Sequence, residues 1–370
     1  MTSKASAGIL DLVQPHILEL LGYEPIEPVN VLAERIGIPP EKIAKLDGNE
    51  NPYGPSPRVL EALGSFDNYH RYGDPKQREL RSALGDYVGV GAEHIVAGAG
   101  SDELIDLLVR VLIKPGDAVI DCPPAFGMYA FSTRVAGGRV IEAARRDDFS
   151  LDLDAVRSAS TDAKAIFVAS PNNPTGNPLT IEELDALLAT GLLVVVDEAY
   201  AEFSGTSVAP QVPERENLVV LRTFSKWAGL AGLRAGYGIM PASLADVLMH
   251  MKPPYSPNVA AEVAMLASLQ AREALTERVA TIVKERDRMT KQLSALEFLE
   301  VFPSAANFVL MRIAGGEGRE LRDKLAATGI FVRYFDTPRL HDCIRVSVGT
   351  AADTDRVTKA LREQGGKRGR

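Results

Sequence analysis

The 370-residue chain has little cysteine, tryptophan or histidine, with two, one and five respectively. Cys122 and Cys343 stand in unrelated surroundings, so there is neither a disulfide framework nor the paired spacing of a zinc site, and no metal is expected. Both thiols are expected to be reduced, which fits a cytoplasmic location. No apolar run reaches the roughly 18 residues that span a bilayer, so no membrane partner is expected. The opening MTSKASAGILDLVQPH lacks the apolar core and small-residue cleavage site of a secretory leader. Positive charge is also short: 41 Lys and Arg against 49 Asp and Glu give a net charge of −8. That balance argues against a protein that coats nucleic acid, and the basic end QGGKRGR reads as a frayed terminus rather than a nucleic-acid arm. It leaves small anionic ligands open, because a few buried arginines bind a phosphate on an acidic protein. There is no internal repeat and no low-complexity linker.

What is present is the composition of a soluble globular protein, 46% hydrophobic and 24% charged, at a length that suggests two domains. Residues 9–37 carry apolar residues at helical spacing broken by Pro15, Pro25 and Pro28, which predicts an arm and then a short helix, VNVLAERIG. LDGNENPYGPSP (46–57) is a turn-rich loop, and RELRSALGDYV after Gln77 is a helix. Strands and helices then alternate. HIVAGAG runs into SDELIDLLVRVLI, with Ser101 or Asp102 near the N-cap. DAVIDCP, GRVIEAAR, AKAIFVASP, GLLVVVDEAY and NLVVLRTFSK read as strands, and TIEELDALLAT as a helix capped by Thr180 with a glutamate three residues on. The expected fold class is α/β, with a mostly parallel, doubly wound sheet whose ligand site lies beyond the carboxyl ends of its strands. From Val259 to about Leu296 one long helical stretch is expected. NFVLMRI, a helix at GRELRDKLAATG, IFVRYF, CIRVSVGT and a last helix follow, as a smaller α+β domain. The expected division is 1–47 as an N-terminal arm and part of the small domain, 48–258 as the large domain, and 259–370 as connecting helix and small domain.

Polar motifs follow the apolar strands in four places: GAGSDE, SPNNPTG, DEAY and TFSK. Taken alone, each has a plain reading. Lys226 at a strand end is an exposed lysine, Asp197 an N-cap or structural ion pair, NPTG a turn, and GAGSDE a strand-to-helix turn. Their context points elsewhere. Lys226 is flanked by the hydroxyls of Thr223 and Ser225 and followed eight residues later by Arg234. The stretch lacks the residue order of a nucleotide P-loop. Burial or neighbouring positive charge turns a lysine into a nucleophile toward carbonyls, and Arg234 with the two hydroxyls suits a phosphate. An aldehyde cofactor bearing a phosphate needs both. Asp197 directly follows LLVVV, so its carboxylate is placed at the site edge of a buried strand and needs a positive partner, such as a protonated ring nitrogen. The hydroxyl of Tyr200, three residues on, is placed to reach the same ring's oxygen, and Asn173 supplies an amide donor from another strand end. GAGSDE adds a helix N-terminus, whose free N–H groups bind phosphate.

In order, G-S-D, an aromatic at Phe126, N-P-T-G, D-x-A-Y, S-K and R-x-G-Y resemble the fold type I pyridoxal-phosphate aminotransferases, with Asp197 24 residues after Asn173 and Lys226 29 after Asp197. The resemblance runs through nearly the whole chain and is strongest with the histidinol-phosphate aminotransferases. It rests on LDGNENPYGPSP, RYGDP, AGAGSDELIDLL, SPNNPTGNPL, VVVDEAYAEF, LRTFSKWAGLAGLRAGYG, ANFVL and IRVSVGT.

The resemblance implies pyridoxal 5'-phosphate as cofactor. Lys226 would hold it covalently and then shuttle a proton, Asp197 would pair with the ring nitrogen, Asn173 and Tyr200 would bond its phenolic oxygen, and Phe126 would stack on it. Many relatives have tyrosine at that stacking position, so a hydroxyl role is missing here. The phosphate would lie against Gly100, Ser101, Asp102, Thr223, Ser225 and Arg234, and against Tyr53 of a neighbouring subunit, making the active unit a homodimer. Arg345 and Arg333 would bind the substrate's acidic group, and Tyr23 would lid it. Arg339, in a loop, reads as solvent-exposed. The implied reaction exchanges an amino group between histidinol phosphate and 2-oxoglutarate, in histidine biosynthesis. An aromatic amino-acid aminotransferase is the nearest alternative. A decarboxylase of phosphorylated amino acids and a non-enzymatic regulator are more distant ones.

Overall fold

The structure is a computed structural model and describes residues 8–22 and 25–368, the side chains of the last three excepted. Its strands in chain order are β1 (Ala44–Leu46), β2 (Ile95–Ala99), β3 (Ala118–Asp121), β4 (Arg139–Glu142), β5 (Ala165–Ala169), β6 (Leu193–Asp197), β7 (Leu218–Thr223), β8 (Ala235–Ile239), β9 (Leu299–Val301), β10 (Phe308–Ile313), β11 (Ile330–Tyr334) and β12 (Cys343–Ser347).

Seven of them form one sheet in the order β2-β8-β7-β6-β5-β3-β4. Only β8 runs against the others, pairing antiparallel with both β2 and β7. The central strands β5, β6 and β7 are apolar almost throughout and buried on both faces, the mark of a parallel sheet sandwiched between helices. The helix Gly100–Leu112 covers one face with Leu104, Ile105, Leu107 and Leu108, all nearly inaccessible. Burial of each such side chain is worth about 1.5–3 kcal/mol. The other five strands form a second sheet, β1-β11-β12-β10-β9, in which β1 from the N-terminal segment pairs parallel with β11. The turn-rich loop after β1 is thereby carried from the small sheet toward the large one.

Several details differ from the sequence expectation. The helix expected to be capped by Ser101 or Asp102 starts at Gly100, and its N-cap, Ala99, has no side-chain acceptor. Glu103 instead accepts the Ala99 N–H at 2.6 Å, and Asp102 turns to an arginine, so neither side chain is needed as a cap. The run from Val259 is two helices, Val259–Gln270 and Arg272–Ser294, broken at Ala271. The first packs on the helices Pro57–Ser65 and Arg78–Val88, the second on β9 and the last helix. Satisfying both surfaces requires a change of direction that no Gly or Pro marks. Strands β1, β8 and β9 were not foreseen. In β8, AGYGI, Gly236 is a packing device: a Cβ there would lie 2.5 Å from Gly100 C and Ser101 N. Thr180 does cap its helix, with Glu183 closing the capping box.

Candidate active site

The carboxyl ends of β2, β5, β6 and β7 and the start of β8 open on a cavity of about 750 Å³, roofed by β11, β12 and the loop after β1. Because β8 is antiparallel, its first residue lies at the edge where β7 ends. That is why Arg234 can face the same cavity as Lys226 although eight residues separate them.

Lys226 follows β7 across a turn held by Thr223, whose Oγ1 accepts the Ser225 N–H at 3.1 Å. The only tryptophan, Trp227, anchors the next position, stacked against Tyr87 at 5.6 Å and tilted on Phe224 at 5.2 Å. Asn51 Nδ2 donates to the carbonyls of both Lys226 and Trp227, each at 3.0 Å. So pinned, the half-buried Lys226 points Nζ into the cavity wall and donates to the Gly48 carbonyl at 3.0 Å. Burial, and then the charges of Arg345 and Arg234, push its pKa down to about 8, against an opposing pull from Glu50 and Asp102. This is the direction a nucleophilic amine requires.

Asp197 closes β6 and is almost inaccessible. Its Oδ2 accepts from the hydroxyl of Tyr129 at 2.7 Å and its Oδ1 from the Ala199 N–H at 3.1 Å. Burial raises its carboxyl pKa to about 6, and those two bonds only partly offset this. The charges of Asp102 and Glu198 raise it further, so neither its two hydrogen-bond partners nor these two carboxylates brings it a positive charge. A buried carboxylate lining a cavity under these conditions is stabilised by a cation that enters the cavity. Tyr200 accepts from Asn49 Nδ2 at 2.9 Å, and Asn49 is held in turn by Ser347 and by Asn307 Nδ2 at 3.0 Å. Phe126 lines the cavity edge-on to Tyr129, with ring centroids 5.6 Å apart.

At the other end, Ser101, Asp102, Thr223, Ser225 and Arg234 line the wall around the uncapped helix N-terminus. Gly100 is buried behind Ser101, with φ +80°, and a Cβ there would lie 2.6 Å from Arg234 Nη2. Arg234 takes the left-handed conformation and ion-pairs with Asp102 at 2.8 Å. Free helix amides, three hydroxyls and a guanidinium converge there, a donor set that fits a phosphate. The groups that line this one cavity thus suit pyridoxal phosphate: anion donors, an amine of lowered pKa and a buried carboxylate of raised pKa.

Arg333 and Arg345 lie opposite each other in register on β11 and β12, and both line the roof. Arg345 donates to Asn173 Oδ1 at 2.5 Å and to the Asp47 carbonyl at 2.6 Å, and its guanidinium lies over Phe308 and Phe335. Asn173 faces the cavity, while its neighbour Asn172 holds the loop through Thr175 Oγ1 at 2.7 Å and the Pro124 carbonyl at 3.0 Å.

Tyr53 is 40% exposed and does not line this cavity. Tyr23 lies outside the described residues. Arg339 is not the solvent-exposed side chain its loop suggests. It donates to the carbonyls of Arg145, Arg146 and Pro123 and lies over Phe149, tying the segment after β11 to the large sheet's loops. Sequence reasoning missed Tyr129 and Asn49.

Residues 41–361 match the family described as aminotransferase class I and II. The chain is 49% identical over 367 residues to the histidinol-phosphate aminotransferase of Roseiflexus castenholzii, covering 96% of this chain and 99% of that protein. It is 47% identical to that of Dehalococcoides mccartyi over 88% of this chain and 91% of the relative. The crystal structure of histidinol-phosphate aminotransferase from Sinorhizobium meliloti in complex with pyridoxal-5'-phosphate superimposes with a TM-score of 0.88 at 27% identity, covering 98% of this chain and 99% of that one. With the lysine, the carboxylate and the phosphate cradle gathered in one cavity, the chain belongs to the class I and II aminotransferases, the pyridoxal-phosphate-dependent transaminases of fold type I.

Proposed function

We propose that the chain is a histidinol-phosphate aminotransferase, exchanging an amino group between histidinol phosphate and 2-oxoglutarate in histidine biosynthesis. The observation that carries the substrate reading is the arginine pair of the roof. An α-amino acid asks for one carboxylate anchor, but histidinol phosphate has no carboxylate and presents a phosphate dianion instead. Arg333 and Arg345, opposed on adjacent strands, offer forked donors to that dianion. The identity to histidinol-phosphate aminotransferases over nearly the whole chain supports the same reading.

In this proposal the bound cofactor supplies an electron sink for the bond broken at the substrate's Cα. Lys226 Nζ first holds the cofactor and then carries the proton released at Cα. Asp197 faces the ring nitrogen and keeps it protonated. Tyr200 and Asn173 donate to the ring's phenolic oxygen, and Phe126 covers one ring face. Ser101, Asp102, Ser225 and Arg234, with Gly100 behind and Thr223 bonded to Ser225 at 2.9 Å, hold the phosphate.

The proposal includes a homodimer in which Tyr53 serves the partner's cavity. Ile9, Leu10, Leu12 and Leu21 of the arm expose large apolar side chains, as a surface covered by a second copy would. It also keeps the division at 1–47, 48–258 and 259–370, with the site between large and small domains. It places the enzyme in the cytoplasm, where the buried free thiols Cys122 and Cys343 stay reduced. Among the described residues no helix is long and apolar enough to cross a membrane.

Turnover tests the substrate reading. With 2-oxoglutarate as acceptor, kcat/KM for histidinol phosphate should exceed that for phenylalanine by at least about 100-fold, the worth of two charge-assisted bonds. Preference for phenylalanine would move the chain to the aromatic aminotransferases.

A further inference from the structure

We propose that Tyr129 is a positioning residue for the cofactor's ring. Its phenol fixes the Asp197 carboxylate toward the ring nitrogen while its ring backs Phe126. The inference rests on the reading of Asp197 as the ring-nitrogen partner.

The geometry carries it. Tyr129 is fully buried in the first turn of the helix Met128–Val135. It stacks on Phe167 of β5, with centroids 5.3 Å apart and planes 19° apart, and meets Phe126 edge-on. Thr133 Oγ1 bonds the Tyr129 carbonyl at 2.8 Å, which fixes the backbone as well. The hydroxyl therefore has one place to point, Asp197 Oδ2, at 2.7 Å. With Ala199 N–H on the other oxygen, the carboxylate plane is set from both sides. One side chain thus touches both the group proposed for the ring's nitrogen and the group proposed for its face.

The choice of a phenol has a physical reason. Lysine, arginine or histidine at this position would bond Asp197 equally well but would also neutralise it and compete with the ring nitrogen. A phenol stabilises the carboxylate without contributing charge. Burial and the adjacent Asp197 and Asp121 hold the Tyr129 hydroxyl protonated, so it acts as a donor throughout the working range. The titratable groups that act on the pair include Asp102, Asp121, Glu198 and Tyr200, and the buried Arg145 acts on Tyr129 from the side of Asp121.

The test is binding of pyridoxal phosphate to the apoenzyme as a function of pH, by fluorescence or dialysis. Tyr129→Phe keeps the packing and removes one donor to a charged acceptor. Its affinity at pH 7.5 should fall about tenfold, and the acid limb of its binding curve should move up by about one pH unit. The cofactor's own groups titrate alike in both proteins, so the difference reports Asp197. Phe167→Leu loosens the same packing with the donor kept. It should lower the melting temperature of the apoenzyme and leave the acid limb in place. Asp197→Asn separates the two readings. If it abolishes tight binding while Tyr129→Phe matches wild type in affinity and acid limb, this proposal is overturned and the Asp197 assignment stands. If Asp197→Asn binds as wild type does, both are overturned.

Discussion

Replacing Arg345 with glutamine should produce two effects that can be measured separately. Arg345 is 6% exposed and is held in plane by Asn173 and the Asp47 carbonyl. A guanidinium carries five N–H donors, so these two bonds orient the fork without exhausting it. Each charge-assisted bond to a substrate anion is worth about 2 kcal/mol, and loss of two is about 4 kcal/mol, or about 1,000-fold in kcat/KM. The loss should fall on histidinol phosphate and on 2-oxoglutarate alike, because both present an acidic group to the same fork. Above the pH at which Lys226 is a free amine in both proteins, cofactor affinity should change by less than about threefold, since the phosphate cradle lies at Ser101, Ser225 and Arg234. The second effect reaches Lys226. After burial, the Arg345 charge is the largest influence depressing that amine. Its removal should raise the Lys226 pKa from about 8 back toward the ordinary lysine value. Steady-state kinetics with each substrate, cofactor titration of the apoenzyme, and the pH dependence of cofactor capture together decide the matter. A variant that keeps its substrates but loses its cofactor would place Arg345 in the cofactor's phosphate site and refute the assignment.

Three further expectations follow from the same geometry. In the apoenzyme, cofactor capture should rise to a plateau above pH about 8, because an amine of that pKa is ~9% free at pH 7 against ~0.03% for an ordinary lysine; a plateau reached only above pH 10 would contradict the lowered pKa. Asp197→Asn should weaken cofactor binding yet make the apoenzyme more stable at pH 8 by up to about 3 kcal/mol, because an acid raised from 3.8 to about 6 by burial destabilises the fold when ionised. The folded state holds that proton more tightly, so the wild-type penalty is absent below pH about 4, grows as pH rises through the window to about 6, and is full above it. Denaturant melts of both proteins across that range check the sign. Gly236→Ala should lower stability by about 1–3 kcal/mol and cofactor affinity with it, since the added carbon lies 2.5 Å from the backbone of Gly100 and Ser101; unchanged cofactor binding would separate β8 from the phosphate cradle.

The parts of the site legible in the sequence are those that end an apolar strand. Asp197 after LLVVV and Lys226 after NLVVLRTFS announce themselves because a buried strand can turn polar only at its edge. Arg234 was legible as a phosphate ligand but not as the start of a strand. The packing of Gly236 against a helix 135 residues earlier leaves no local trace. Tyr129 and Asn49 were out of reach for a related reason. Their partners, Asp197 and Tyr200, are 68 and 151 residues away, and a buried side-chain bond at such separation has no signature in composition or periodicity. Arg339 inverted its expectation because carbonyls of a distant loop received it, and carbonyls carry no residue type to read.

The most direct test of the central claim is a single half-reaction. Purified holoenzyme is mixed with histidinol phosphate in the absence of any oxo acid, and the visible absorbance of the bound cofactor is followed. The account predicts loss of the band once per site, with one equivalent of imidazole-acetol phosphate and no CO₂, and its return when 2-oxoglutarate is added with one equivalent of glutamate formed. A band that phenylalanine bleaches much faster than histidinol phosphate would contradict the substrate assignment, and a holoenzyme unaffected by either amine would contradict transamination at this site.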